Sequence, residues 1–209
     1  MQFIDLGIIS YKEALERQMN AVREVISNKE AEQVFLLEHF PVITAGRRQA
    51  KDNLIVGIDK LKEKNIDFIE TTRGGDITCH FPGQLVVYPV MRLNNKVGAL
   101  RDYFSFLEEV IINLLKKYCL SSWSYTSRPG VYTDSGKIAS IGIGVKKWVT
   151  YHGLAINLTR KLSLFDYINP CGMTDIKMTS IHAELGSNYL NMAQLKADFI
   201  IEFKKYFIG

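Results

Sequence analysis

The sequence is poor in the features that stabilise secreted or membrane-bound proteins. Its three cysteines, Cys79, Cys119 and Cys171, form no CxxC pair, which argues against a disulfide framework or a zinc knuckle. Reduced thiols in a reducing compartment are the expected state. No apolar run approaches the ~18 residues of a membrane span. The opening residues, MQFIDLGIIS, carry Asp5 where a secretory leader has a basic region. A cytoplasmic, soluble protein is expected, with no membrane partner.

Catalytic signatures are also scarce. No GxxxxGK followed by Ser or Thr occurs, and no GxGxxG follows a strand and opens a helix. HExxH and GxSxG are missing as well. The familiar nucleotide-fold and hydrolase readings therefore lose ground. No Ser/Pro-rich linker, low-complexity tract or repeat divides the chain, so a single domain over residues 1–209 is expected.

Charge is nearly balanced, with 26 Lys and Arg against 22 Asp and Glu, a net +4. The lysines at 60–64, 146–147 and 204–205 are too dispersed for a nucleic-acid stripe, so no nucleic acid is expected as a partner. A weak positive field still favours acidic macromolecules, although an ordinary solvated surface explains the charge equally well. At 209 residues and 47% hydrophobic, the chain is long enough to bury roughly 70% of its unfolded surface.

The periodicities alternate irregularly. Residues 2–6 suggest a strand; Ser10 and Glu13 form a capping box for a helix whose apolar face is Leu15, Met19, Val22 and Ile26. QVFLLEH and PVITAG suggest buried strands around Pro41, and a short charged helix spans 59–65 before a strand at 67–70. The strongest helical pattern runs over 100–118, with Cys119 expected as a buried apolar filler at its end. Residues 122–158 hold successive strands broken by Pro129-Gly130 and Ser135-Gly136, and GIGV at 142–145 marks places where a backbone or ligand comes close. A last helix carries Met192, Leu195, Phe199, Phe203 and Tyr206 on one side. This order suits an α+β architecture better than a doubly wound parallel sheet.

Five polar residues, Arg73, His80, Lys137, His152 and Cys171, stand in segments expected to be loops. A lone Cys is usually buried filler. Cys171, however, occurs in INPCGM, between Pro and Gly, where a turn can present it to a ligand. A reactive thiol needs a cation or aligned N–H groups to lower its pKa from about 8.5. Lys137 is one candidate cation, but spacing alone does not connect 137 with 171.

Taken together, three segments change the picture. RGGDITCHFPGQLVVYP (73–89), GKIASIGIGVKKWVTYHGLAINL (136–158) and FDYINPCGM (165–173), in this order, resemble the lipoyl(octanoyl) transferases of lipoate biosynthesis. LLEHFPVITAGRR (36–48) is similar to that family's Glu-His ahead of Gly-Arg. Two positions depart from the pattern: Cys79 stands where the family usually has an aromatic residue, and Phe81 where it has Gly.

The resemblance implies the catalytic-domain fold of biotin and lipoate protein ligases, with a larger mixed sheet, a smaller sheet and flanking helices. It implies transfer of octanoyl from octanoyl-acyl carrier protein, whose phosphopantetheine arm carries the acyl group, to a lysine of lipoyl domains of 2-oxoacid dehydrogenase complexes or of the glycine cleavage H protein. No separate cofactor and no metal are implied, and a monomer is expected. Cys171 would be the acyl-accepting nucleophile and Lys137 its partner. Arg73, Gly74, Gly75, Asp76, Ile77, Thr78, Cys79 and His80, with Ser140, Ile141 and Gly142 and with Gly153, Leu154 and Ala155, would line the acyl pocket. Gly172 and the Gly74-Gly75 pair are candidates for oxyanion N–H donors, against the plainer role of turn glycines. His80 would either donate a hydrogen bond or hold its loop. An ATP-dependent lipoate or biotin ligase, an octanoyl amidotransferase and a noncatalytic acyl-carrier-binding module remain as rivals.

Overall fold

The apolar runs separated by turn signals form two sheets of unequal size in the computed structural model, which describes residues 1–29, 31–47, 50–93, 99–126, 128–170 and 176–206. In chain order the strands are β1 (Gln2–Ile9), β2 (Gln33–His39), β3 (Val42–Ala45), β4 (Asp67–Glu70), β5 (Ile77–His80), β6 (Gln84–Val90), β7 (Trp123–Tyr125), β8 (Arg128–Thr133), β9 (Gly136–Lys146) and β10 (Val149–Asn157). The larger sheet runs β1-β2-β6-β10-β9-β8-β7 and the smaller β4-β3-β5. Both are mixed, because β1 is parallel to β2 and β4 to β3 while the other neighbours are antiparallel. QVFLLEH and VITA, adjacent in sequence, thus lie in different sheets. Pro41, which has no N–H to give a ladder, stands at the crossing.

Helix α1 (Tyr11–Ile26) starts where the Ser10 side chain accepts from Glu13 N at 3.2 Å. Only half of the capping box forms, since the Glu13 carboxylate pairs with Arg17 instead. The buried face also differs from the apolar pattern. It comprises Tyr11, Ala14, Gln18, Ala21, Val22 and Val25, leaving Leu15, Met19 and Ile26 half-buried. The reason is Gln18, whose Oε1 accepts the buried backbone N–H of His152 at 2.7 Å. A pattern search that skips polar residues cannot place it.

The charged helix predicted over 59–65 is α2 (Ile58–Glu63). On the opposite face of the large sheet, α3 (Ala99–Lys117) packs with α5 (Met192–Lys204), the short α4 (Ile181–Glu184) preceding the latter. Leu107, Val110, Ile111, Leu114 and Leu115 from α3 and Leu195, Phe199 and Phe203 from α5 are all at 0% exposure in one core cluster. Each contributes about 1.5–3 kcal/mol of burial. Cys119 does not join them. It is exposed and adopts φ 60°, ending α3 in a left-handed residue rather than filling the core. Among the described residues no helix is long and apolar enough to cross a membrane.

Candidate active site

The segment Arg73–Asp76 joins the two sheets. Arg73 is buried, its guanidinium donating to Thr44 O at 2.6 Å and to Thr44 Oγ1. The backbone follows: Gly46 N donates to Asp76 O, Arg47 N to Arg73 O, and Gly74 N to Ile143 O at 2.8 Å. A Cβ on Gly46 would lie 2.4 Å from Gly75 O and 2.9 Å from Arg73 Nη1, so only glycine admits the loop here. Because Gly74 N is committed to β9, it is not a free oxyanion donor. That part of the expectation is corrected.

The Pro-Gly turn at 82–83 is fixed by the preceding motif, Glu38 Oε2 accepting from Gly83 N at 2.6 Å. A polar relay then crosses the sheet. His80 Nδ1 donates to Gln84 Oε1 at 2.7 Å, Gln84 Nε2 to Asn157 Oδ1 at 2.9 Å, and Asn157 Nδ2 to Thr179 O at 2.9 Å. Thr179 N in turn donates to Lys137 O, while Lys137 N donates to Lys177 O at 2.8 Å. His80 and Lys137, 57 residues apart in sequence, thus belong to one hydrogen-bonded frame.

Lys137 is 1% exposed. Its Nζ donates to Pro129 O at 2.8 Å and lies 5.4 Å from the centre of the Tyr132 ring. Space for this side chain depends on Gly130, whose φ is +125°. A Cβ there would stand 2.6 Å from Lys137 Cε and 2.5 Å from Ala139 O. The Pro129-Gly130 pair, expected simply as a turn, shapes the lysine's slot.

One cavity of about 360 Å³ gathers these parts, a size within the usual range for small-molecule sites. Arg73, Gly74, Gly75, Asp76, Ile77, Thr78, His80, Lys137, Ser140, Ile141, Gly142, Gly153, Leu154 and Ala155 all line it. Gly142 faces Gly153 across the β9–β10 ladder. Cys79 is the exception. Strand alternation turns it away from its neighbours into the small-sheet core, at 0% exposure, where burial raises its thiol pKa well above the usual value. Phe81, the other departure, enters the same core and packs edge-on to Phe165 at 5.8 Å. Cys171 and Gly172 lie outside the described residues.

The sequence reading missed Tyr11, Tyr88, Phe104, Pro129 and Pro170, which also line the cavity, and it gave His152 no place there. Nor does His152 lie in a loop. It sits within β10 at φ 56°, which brings its ring beside Tyr151 (4.7 Å), Tyr88 (6.1 Å) and Tyr11 (6.2 Å). His39 completes the group, donating from Nδ1 to Ile9 O and accepting from the Tyr88 hydroxyl on Nε2 at 2.8 Å. Burial pushes His39 down to about 4 against the pull of its bond to Ile9 O. It pushes His152 down to about 3, assisted by the Arg73 charge. His80 falls well below the ordinary value through burial and then the neighbouring His39. All three imidazoles are neutral at pH 7, and His80 holds its loop through Gln84.

Residues 10–204 match the family model described as the lipoyl protein ligase A/B catalytic domain. The chain belongs to that family. An octanoyltransferase of Nitratidesulfovibrio vulgaris is 45% identical over 207 residues, covering 99% of this chain and 94% of the relative. The bipartite lipoate protein ligase of Thermoplasma acidophilum, from a study that includes its E2 lipoyl domain, superimposes with a TM-score of 0.74 at 14% identity, over 99% of this chain and 82% of that one. A lipoate-protein ligase A bound with ATP gives 0.68 at 14% identity, over 99% and 85%. These two structural matches show the fold, in which the family's larger mixed sheet and smaller sheet are those described above.

Proposed function

We propose that this chain, an acyltransferase of lipoylation, moves octanoyl from octanoyl-acyl carrier protein to a lysine of a lipoyl domain through a thioester on Cys171. The observation that carries this reading is the placement of Lys137. It shares its cavity with Pro170, the residue bonded to Cys171, and residues 177–179 on the other side of that segment are hydrogen-bonded to its backbone. The described residues on either side of the segment that holds Cys171 thus border the lysine's cavity or are bonded to its backbone. The octanoyltransferase relative favours octanoyl as the acyl group, and the archaeal neighbour studied with its E2 lipoyl domain favours a lipoyl domain as acceptor.

In the first half-reaction the Cys171 sulfur attacks the donor carbonyl, the carbon–sulfur bond to the carrier's arm breaks, and the thiol proton passes by way of Lys137 to the departing thiolate. In the second, the acceptor amine attacks the Cys171 thioester and its proton returns to the cysteine sulfur. The thioester keeps the acyl group activated while one protein leaves and the other docks. A second, more open groove containing Ser135, Arg160, Asp166, Lys177 and Thr179 shares Pro170 with this cavity. The inner walls of Ile141, Leu154 and Ala155 give the acyl chain an apolar surface, worth about 0.8 kcal/mol for each buried CH₂.

Incubation with octanoyl carrier protein, without ATP, followed by intact mass measurement tests the proposal. An octanoyl adduct that hydroxylamine removes is expected, absent in Cys171→Ala and slow to form in Lys137→Met, which keeps the shape of the buried stem. A requirement for ATP would make the chain a ligase. Carrier binding by folded protein with no adduct would make it a binding module.

A further inference from the structure

The wall of an acyl pocket needs only apolar side chains, yet one end of this cavity is polar. Exposed Pro129 and Gly75 mark its mouth. Tyr11, His80, Tyr88 and His152, each at most 6% exposed, mark the inner end. Three of these have their polar atoms engaged with protein: the Tyr88 hydroxyl with His39, His80 Nδ1 with Gln84, and the Tyr11 hydroxyl with His152 Nδ1 at 3.4 Å. His152 Nε2 is different. It is buried and has no hydrogen-bond partner among the described residues. A buried polar atom left in this way is costly and rare in folded proteins. The left-handed backbone that brings the ring here is itself unfavourable for a residue with a side chain. Two independent costs converge on one imidazole at the end of a ligand cavity.

Resting on the acyl-transfer reading above, we propose that the inner end of the cavity is a hydrogen-bonding subsite centred on His152, which takes a polar atom beneath the acyl tail. With an eight-carbon chain that atom is a water; with a hydroxyl-ended chain it is the substrate's own oxygen. His80 is the natural second contact. Its Nδ1 donates to Gln84, so its Nε2 has a lone pair to offer. A water needs at least two such polar partners to be held. His152 is then a specificity-determining residue. A longer apolar chain expels the water and leaves the imidazole unpaired, the same physics by which sites built to hydrogen-bond a group reject its apolar analogue.

Nonanoic acid and 8-hydroxyoctanoic acid have the same number of heavy atoms and separate the possibilities when their binding to the full chain is measured by calorimetry. The wild-type protein should bind the hydroxy acid at least as tightly as nonanoic acid, and octanoic acid about tenfold more tightly than decanoic acid. In His152→Gly, which tolerates the left-handed backbone, both preferences should move toward the apolar and longer chains by about tenfold. A purely structural role for His152 would weaken all four acids together. A wild-type preference for nonanoic acid over the hydroxy acid by tenfold overturns the subsite without any variant. Failure of all four acids to bind overturns it too. The intact-mass experiment then decides separately whether acyl transfer stands, because adduct formation with unmoved acid preferences removes only the subsite.

Discussion

Lowering the pH from 7.5 to 5.5 should weaken the fold through the buried histidines His39 and His152, with His80, also held down by burial, acting in the same direction. In the unfolded chain His39 and His152 titrate near 6.5; in the folded protein they are pushed down to about 4 and about 3. Between those values the unfolded state binds more protons, so stability falls as pH falls. The contribution is complete above 6.5 and fully lost only below the folded values. One pH unit under the unfolded pKa, each group costs about 1.4 kcal/mol, so the pair removes about 3 kcal/mol at pH 5.5 and about 5 kcal/mol at pH 4.5. A typical domain has only ~5–15 kcal/mol in total. Paired carboxylates do not confuse this window. Burial pushes Asp5 and Asp198 up, but their lysine partners, Lys196 and Lys117, and further hydrogen bonds bring both below the ordinary value. Urea denaturation followed by circular dichroism at several pH values measures the slope, and imidazole resonances of the folded protein measure the titrations. Stability flat to within about 1 kcal/mol between pH 7.5 and 5.5, or a folded-state midpoint near 6.5 for either histidine, would refute the reasoning.

Two substitutions test the frame around the site. Gly130→Ala places a methyl group against Lys137 Cε at φ +125°. It should destabilise the protein by about 2 kcal/mol and slow adduct formation by displacing the lysine; wild-type values of both in the same preparation would contradict the packing argument. Gln18→Leu leaves the buried His152 N–H without its acceptor, and the urea midpoint should report a loss of about 1–3 kcal/mol. A change of only a few tenths would show that the N–H finds another partner.

Some of this was legible in the sequence because it depends on neighbours in the chain. The long α3 pattern, the Ser10 cap and the turn glycines act over a few residues, so their residues name the element directly. The pocket walls from 73–80, 140–142 and 153–155 were legible through motif resemblance, which carries the history of a fold rather than its forces. Errors came where a residue's role depends on something distant. Gln18 faces inward for the backbone of His152, 134 residues away. Cys79 was misplaced because one step of strand alternation decides between cavity and core.

The sequence by itself determined most of the helices and strands, though not the short α4, together with the mixed α+β order and the family, since local periodicity and short motifs suffice for these. Only the tertiary structure decided that a relay from His80 through Gln84, Asn157 and Thr179 frames Lys137. It alone showed that Tyr11 on a helix and His152 in a strand meet at the end of one cavity. Hydrogen bonds and burial depend on positions in space, and chain separation does not encode those until the sheets have formed.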